Sequence, residues 1–295
     1  MVQQKTWGRK AFDVFNHTLL AVLAISCLLP LINILAISLS STNAIETGKV
    51  SFWPVEFTTF AYEHIARTKP FQTSLLITLE RVALGVALNF ILTVMIAYPL
   101  SREVSSFKMR TVYVWVFVFT MLFSGGLIPT YLVVKEAGFL DTIWALLLPT
   151  AVPIFNVVLL LNFFRNLPKE LTEAAFIDGA GHWSILWNIM VPLSLPALAT
   201  VTLFSIVGHW NEWFYGLIYM NDPAKYPLSS YLQTIIIRFD LSSITDTTQL
   251  ELLSKLNNRA LRSAQIFLGA LPVLLVYPFL QKYFMSGIVL GSVKE

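Results

Sequence analysis

The sequence predicts an all-α membrane protein, a polytopic bundle of six transmembrane helices with both termini cytoplasmic. Three observations lead there. Charged residues are only 13% of the 295 and hydrophobic ones 56%, with mean hydropathy +0.68, whereas soluble domains carry about 25% charged residues. The apolar residues also fall into runs near the roughly 20 that a helix needs to cross about 30 Å of hydrocarbon. Finally, lipid-facing backbone must be bonded internally, and runs of this length can do that only as helices.

A cytoplasmic tail is expected over residues 1–13, with Lys5, Arg9 and Lys10, ahead of a transmembrane domain at 14–295. The first span is placed at about Phe15–Ser38 and is expected to break at Pro30. The uncharged stretch Val14–Ile45 exceeds the h-region of a signal peptide, about 7–15 residues, so a retained anchor is expected. An outer segment follows at 40–73, where Trp53, Phe57 and Tyr62 suit the membrane interface. Core spans occupy 74–283. Span two runs from about Ser74 to Leu100, with Glu80 and Arg81 toward its outer end, where snorkelling accounts for them. The loop Ser101–Arg110 sets Arg102, Lys108 and Arg110 against Glu103 and reads as cytoplasmic.

Span three, about Thr111–Ile128, is expected to stop at SGGLIP and give way to a short polar connection, Thr130–Thr142. Span four, about Ile143–Phe164, carries Pro149 and Pro153, so kinks are expected. A cytoplasmic loop at 165–191 leads to span five, about Val191–Ile218. An outer segment at 219–260 precedes span six, about Leu261–Tyr283, and a tail at 284–295. Ten Lys and Arg fall inside and nine outside, but the inner loops are shorter and therefore denser in positive charge, which sets the orientation.

Several function classes drop out. No basic cluster points to nucleic acid, and a lone Cys27 permits no intrachain disulfide. The four histidines lack metal-ligand spacing. There is no GxxxxGK[ST] phosphate loop, so if ATP powers this protein, another chain must bind it.

In the middle of the chain the longest run without membrane character is Leu171–Pro192, LTEAAFIDGAGHWSILWNIMVP. Pro168 suits a helix start, and Glu170 and Glu173 complement the dipole of its first turn. Ala174 and Ala175 make a smooth face, and Gly179 and Gly181 permit a bend into a second segment, His182–Met190. The residues alone fit either an amphipathic connector or a helix that docks into a partner.

A second cluster, His209-Trp210-Asn211-Glu212-Trp213-Phe214-Tyr215, sits late in span five. A carboxylate at that depth costs about 2.5–3.5 kcal/mol on insertion scales and usually faces the bundle interior or a watery cavity. It is read either as a hydrogen-bond knot that fixes span packing or as a pathway lining. Aromatic rings offer stacking surfaces, and the polar groups offer donors and acceptors. On a continuous helix Asn211, Glu212 and Tyr215 would point together. Asn89, Asn156 and Asn162 are expected to join helices.

The spacing around Leu171–Pro192 resembles the EAA loop of ABC-importer permeases: Glu173-Ala174-Ala175, three residues, Gly179, nine residues, Ile189, one residue, then Val191-Pro192 where Leu-Pro is usual. The IDGA around Asp178 is similar to the carbohydrate-uptake branch of that family. Likeness extends to FWP-x-x-FT after span one, GGLIPTYL after span three and WNEWFYGL in span five. The FSGGLIPTYLVVKEAGFLDT wording looks most like complex-saccharide permeases of Gram-positive bacteria, of the rhamnogalacturonan and polygalacturonan type.

That resemblance implies a permease subunit of an ATP-driven importer, with a sugar or oligosaccharide as cargo. Its implied partners are a second homologous permease, two cytoplasmic ATP-binding subunits and an extracellular solute-binding lipoprotein, in a plasma membrane crossed several times. ATPase coupling would fall to Glu173, Ala174, Ala175, Asp178, Gly179, Ile189 and Pro192. The substrate pathway would include His209, Trp210, Asn211, Glu212, Trp213 and Tyr215. No cofactor is expected on this chain, ATP and Mg belonging to the partner ATPase. The rival readings are a secondary transporter or channel with Glu212 as an ion site, and a membrane enzyme with Glu212 and His209 as an acid–base pair.

Overall fold

The computed structural model describes residues 7–238 and 259–275. The chain divides into two units, Met1–Lys69 with Thr234–Leu271, and Pro70–Gln233 with Pro272–Glu295.

In the first unit, α1 (Trp7–Ser38) is a single helix of 32 residues. It begins inside the expected tail and runs through Pro30 without the expected break. A proline removes one hydrogen bond, and membrane helices carry proline more often than soluble ones. A short α2 (Thr42–Glu46) is started by Ser41, whose hydroxyl accepts the Ala44 N–H at 3.2 Å, an ordinary N-cap. In α3 (Phe60–Arg67) the Tyr62 hydroxyl shares a 2.7 Å hydrogen bond with Ser38 at the end of α1. A helix over residues 259–275 covers the described part of the sixth span. The rest of that span, the tail at 284–295 and positions 239–258 of the outer segment lie outside the described residues.

The second unit opens with α4 (Lys69–Ser101), 33 residues long. Like α1, it is long and apolar enough to cross a membrane unbroken. The remaining spans are bent. After α5 (Arg110–Leu122) the chain turns by 112° into α6 (Leu127–Glu136). The glycines at SGGLIP end a helix as expected, with Gly126 at φ +89°, but Leu127–Glu136 is a new helix where a polar connection was expected. Pro129 lies in its first turn, where a missing N–H costs nothing. The fourth span kinks by 47° between α7 (Ile143–Leu147), with its 3-10 extension Leu148–Thr150, and α8 (Ile154–Arg165), at the two expected prolines.

Next come α9 (Lys169–Ile177) and α10 (His182–Ile185), the latter continued by a π turn, Leu186–Met190, and by α11 (Val191–Leu193). Pro192 removes the donor that would close on Asn188 in a regular α-helix. An 84° bend at Ser194 leads into α12 (Leu195–Asn211), since Pro196 likewise crowds the turn before it. The fifth span is broken again at Glu212 before α13 (Phe214–Tyr219), and α14 (Leu228–Arg238) follows a 3-10 turn at Pro223–Lys225. Among the described residues there are thus two unbroken candidate spans, or five if each bent pair counts as one.

The main core lies where α4, α8, α10 and α12 meet, around Val94, Ala97, Val157, Leu160, Ile185 and Val201. A smaller core packs Val134, Ala145 and Leu146 against Tyr219 and Met220. Beside it Asp141, at φ +64°, accepts the N–H groups of Asn221 and Asp222 and pairs with Lys225 at 2.9 Å.

Candidate coupling surface and membrane cavity

The EAA stretch sorts its residues onto two sides of α9. Glu170, Glu173, Ala174 and Ile177 follow i, i+3, i+4, i+7 spacing and are all exposed, so they form one stripe. Ile177 is 87% exposed, an apolar side chain with nothing covering it. Thr172 is buried on the opposite side, and Ala175 packs against the main core with Ile189. Of the motif, then, Glu173, Ala174 and Asp178 face outward, while Ala175 and Ile189 anchor the stretch from within.

Asp178 ends α9, and Gly179 adopts φ +81°. The Gly179 N–H donates to Phe176 O at 3.0 Å and the Ala180 N–H to Ala175 O at 2.9 Å. This is a Schellman closure, which favours glycine at its left-handed position. Gly181, at φ −77° and ψ 163°, has extended backbone open to any residue, so only one of the two expected bend glycines requires glycine. Pro168 precedes the helix as its N-cap, with ψ 125°, and does not occupy the first turn. Pro192 is exposed in α11.

The second site is a cavity of about 510 Å³ bounded by α4, α8, α12 and α13. Arg81, Gly85 and Asn89 fall at i, i+4, i+8 on one side of α4. The Arg81 side chain is 1% exposed. Its Nη2 donates to Glu212 Oε2 at 2.7 Å and its Nη1 to the Glu212 carbonyl at 2.9 Å. Glu212 Oε1 accepts the Tyr215 N–H at 2.8 Å.

Here the helical spacing expected for 209–215 fails: Glu212 has ψ 113° and is the residue on which α12 ends. Arg81 satisfies the carbonyl that the broken helix leaves open, and the Glu212 carboxylate caps the start of α13. Removing one member of such a buried pair strands the other charge, at a cost of about 3–5 kcal/mol.

Asn89 Nδ2 donates to Thr150 O at 3.1 Å, which fixes its amide so that Oδ1 accepts from His209 Nε2 at 2.9 Å. Asn156 Nδ2 donates to Val201 O at 3.2 Å and to Ser205 Oγ at 3.3 Å. Both asparagines join helices, as expected, whereas Asn162 is exposed on α8. The His209 ring lies against Gly85, where an added Cβ would stand 2.6 Å from Cε1, so only glycine leaves room for it.

His209, Glu212 and Tyr215 therefore reach one cavity, together with Phe204 and Phe214. Trp210 is buried elsewhere, with its carbonyl accepting from Ser229, Asn211 is exposed, and Trp213 meets Phe214 edge-on at 5.7 Å. None of these three lines the cavity. Arg81 is the residue that sequence reasoning misplaced: it lies buried in the span, not snorkelling at an interface. The available signal was Glu212, which needed a counter-charge at similar depth.

These bends and this loop define a class, the permeases of binding-protein-dependent transport systems. The chain belongs to the family described as binding-protein-dependent transport system inner membrane component, whose model matches residues 89–289. It is 40% identical over 285 residues to the polygalacturonan/rhamnogalacturonan transport system permease protein YtcP of Bacillus subtilis (strain 168), covering 97% of this chain and 99% of that protein. It is 39% identical over 289 residues to the protein LplC of the same organism, covering 98% and 97%. Among solved structures, a chain from a bacterial ABC transporter that imports the acidic polysaccharide alginate superposes with TM-score 0.88 at 32% identity, over 96% of this chain and all of that one. The family is one of transport permeases, and the all-helical, membrane-type fold agrees with it.

Proposed function

We propose that this chain is the translocating subunit of an ATP-driven importer for acidic oligosaccharides such as galacturonan fragments, set in the plasma membrane as a multi-pass protein. Its termini are cytoplasmic. It pairs with a second, homologous permease, receives cargo from an extracellular solute-binding lipoprotein, and is driven by two ATP-binding subunits at the α9 stripe. It binds no cofactor and breaks no covalent bond.

One observation carries this reading. The coupling helix α9 lies in sequence between α8 and α12, the two helices that supply Asn156, Ser205 and His209 to the cavity. The links are short: Asn166–Pro168 on one side, and the Gly179 turn with the α10–α11 segment on the other. A push on Glu173 and Ala174 enters both walls at once. Nucleotide binding can shift the inward–outward equilibrium only by favouring one position of α9 over another. In the cavity, whose asparagine, serine and histidine groups largely bond one another, the Tyr215 hydroxyl would meet cargo hydroxyls and Phe204, Phe214 and Tyr215 offer ring faces.

The rival readings find less support. Both Glu212 carboxylate oxygens are engaged, one by Arg81 and one by the Tyr215 N–H, and the Arg81 guanidinium already balances the charge an ion would need. His209 bonds to Asn89, so Glu212 and His209 answer to different partners.

The test is uptake of a labelled galacturonan oligomer by proteoliposomes holding the whole complex. Glu173→Ala is expected to abolish ATP-dependent uptake while the two permeases remain paired. Unchanged uptake would refute the coupling role.

A further inference from the structure

A second cavity, of about 520 Å³, lies along α9, which lines it with Lys169, Thr172, Glu173 and Phe176. Arg102, Arg110, Arg165 and Lys169 line it against two carboxylates, Glu103 and Glu173. Glu103 is committed to Lys169. The three arginines instead donate to neutral oxygens: Arg102 to the Tyr98 hydroxyl, Arg110 to Arg102 O at 3.2 Å and Arg165 to Leu100 O at 3.3 Å. Among the described residues no carboxylate pairs with any of them, and the buried Nε atoms of Arg102 and Arg110 have no partner. Arg110 is also near enough to Arg165 for their charges to repel. Three guanidiniums in one cavity, none of them paired with its carboxylates, offer charge-assisted donors to a further anion, and guanidinium geometry matches phosphate.

A third cavity, of about 540 Å³, adjoins this one and shares Arg102, Ser106 and Phe176 with it. Its remaining lining is mostly apolar, with Met95, Pro99, Phe107, Trp183 and Leu186. A cationic chamber opening onto an apolar one suits a ligand with an anionic head and a hydrocarbon tail. Both chambers stand where α4 ends and α5 begins, which on the proposed topology is the headgroup level of the inner leaflet. Basic pockets between membrane helices on that side are lipid-headgroup sites.

We propose that the two chambers bind one anionic phospholipid, its phosphate held by Arg102, Arg110 and Arg165 and one acyl chain lying along Met95, Phe107 and Trp183. Lys169, Thr172, Glu173 and Phe176 reach the site from α9, so the bound lipid braces the coupling helix along the side that carries them. This inference rests on the proposed orientation of the chain.

The experiment measures lipid retained by the purified full-length complex, by native mass spectrometry, after exchange into phosphatidylcholine with a small fraction of phosphatidylglycerol of the same chain length. Phosphatidylglycerol is expected to be held selectively, and Arg102→Gln with Arg110→Gln is expected to weaken it about 30-fold. Equal retention in that variant, or equal retention of phosphatidylcholine, would overturn the site. Displacement by millimolar inorganic phosphate would reduce it to a bare anion site and overturn it too. Loss of the ATP-binding subunits with phosphatidylglycerol still bound would assign the arginines to the ATPase instead. If the variant fails to assemble, the preference of the wild-type chain between the two lipids decides. Lipid retention is read on this chain and ATPase retention separately, so failure of the coupling reading cannot be mistaken for failure of the lipid site.

Discussion

The α9 stripe and the Arg81–Glu212 cavity are built on opposite plans. The stripe is local, a single helix of nine residues whose informative side chains are exposed. The cavity joins residues as far as 131 positions apart, and its Arg81, Glu212, Asn89, His209 and Asn156 side chains are bonded to one another or to the backbone. An exposed helix face is open to a partner, as proposed for α9. A satisfied polar knot among apolar helices is made first to hold those helices in register, and only the space it leaves open is available to cargo.

That contrast predicts a large stability effect in the cavity. Arg81→Ala or Glu212→Ala is expected to cost the solubilised chain about 3–5 kcal/mol. Arg81→Met combined with Glu212→Leu should cost less than the sum, because neither charge is then stranded. Thermal unfolding of the three variants checks this, and additive losses would show that the pair is not coupled. A smaller effect is expected at the bend after α9. Gly179→Ala forces a side chain into left-handed backbone, costing about 1–2 kcal/mol, whereas Gly181→Ala should be near neutral, although the two glycines are neighbours in the same turn. Equal effects would mean that the turn does not depend on the Gly179 conformation.

The smallest effect belongs to the exposed pair Glu103–Lys169. The Lys169 ammonium holds the Glu103 carboxyl below the usual carboxylate range, and Glu103 holds Lys169 above the usual lysine range. The carboxylate contribution is therefore present above the ordinary carboxyl pKa and is lost as pH falls through the lowered one. The lysine contribution is present below its ordinary pKa and is lost as pH rises through the raised one. Stability should be flat across neutral pH, and Glu103→Gln should lower the unfolding midpoint slightly there and not at all in acid. A midpoint shift that persists in acid would exclude the ion pair as its cause.

The sequence made the two sites legible to different degrees. Helical class, membrane character and the α9 surface followed from charge-free runs and from one spacing within twenty-odd residues. The kinks at Pro149 and Pro153 were readable because proline acts on its own turn. By contrast, the break at Glu212 contains no proline or glycine. It depends on Arg81 taking the freed carbonyl, a contact that no local pattern reveals. The same holds for Gly85, where glycine is required by the His209 ring of another helix. At α6 the glycines of SGGLIP were read as the end of a span, and their role in starting a second helix depends on the apolar LIPTYLVV that follows. Pro30 was over-read, since a proline within a long apolar helix need not end it.

The most direct test compares Glu173→Ala with Arg81→Ala in one pair of readouts, the unfolding midpoint of the solubilised chain and the capture of ATP-binding subunits by it. Glu173→Ala should leave the midpoint essentially unchanged, within about 0.5 kcal/mol as for an exposed site, and abolish capture. Arg81→Ala should lower the midpoint sharply, with capture lost only to the extent that the chain unfolds. A Glu173 variant that is destabilised yet still captures the ATPase, or an Arg81 variant as stable as the wild type, would contradict the division between a surface for the partner and a knot for the fold.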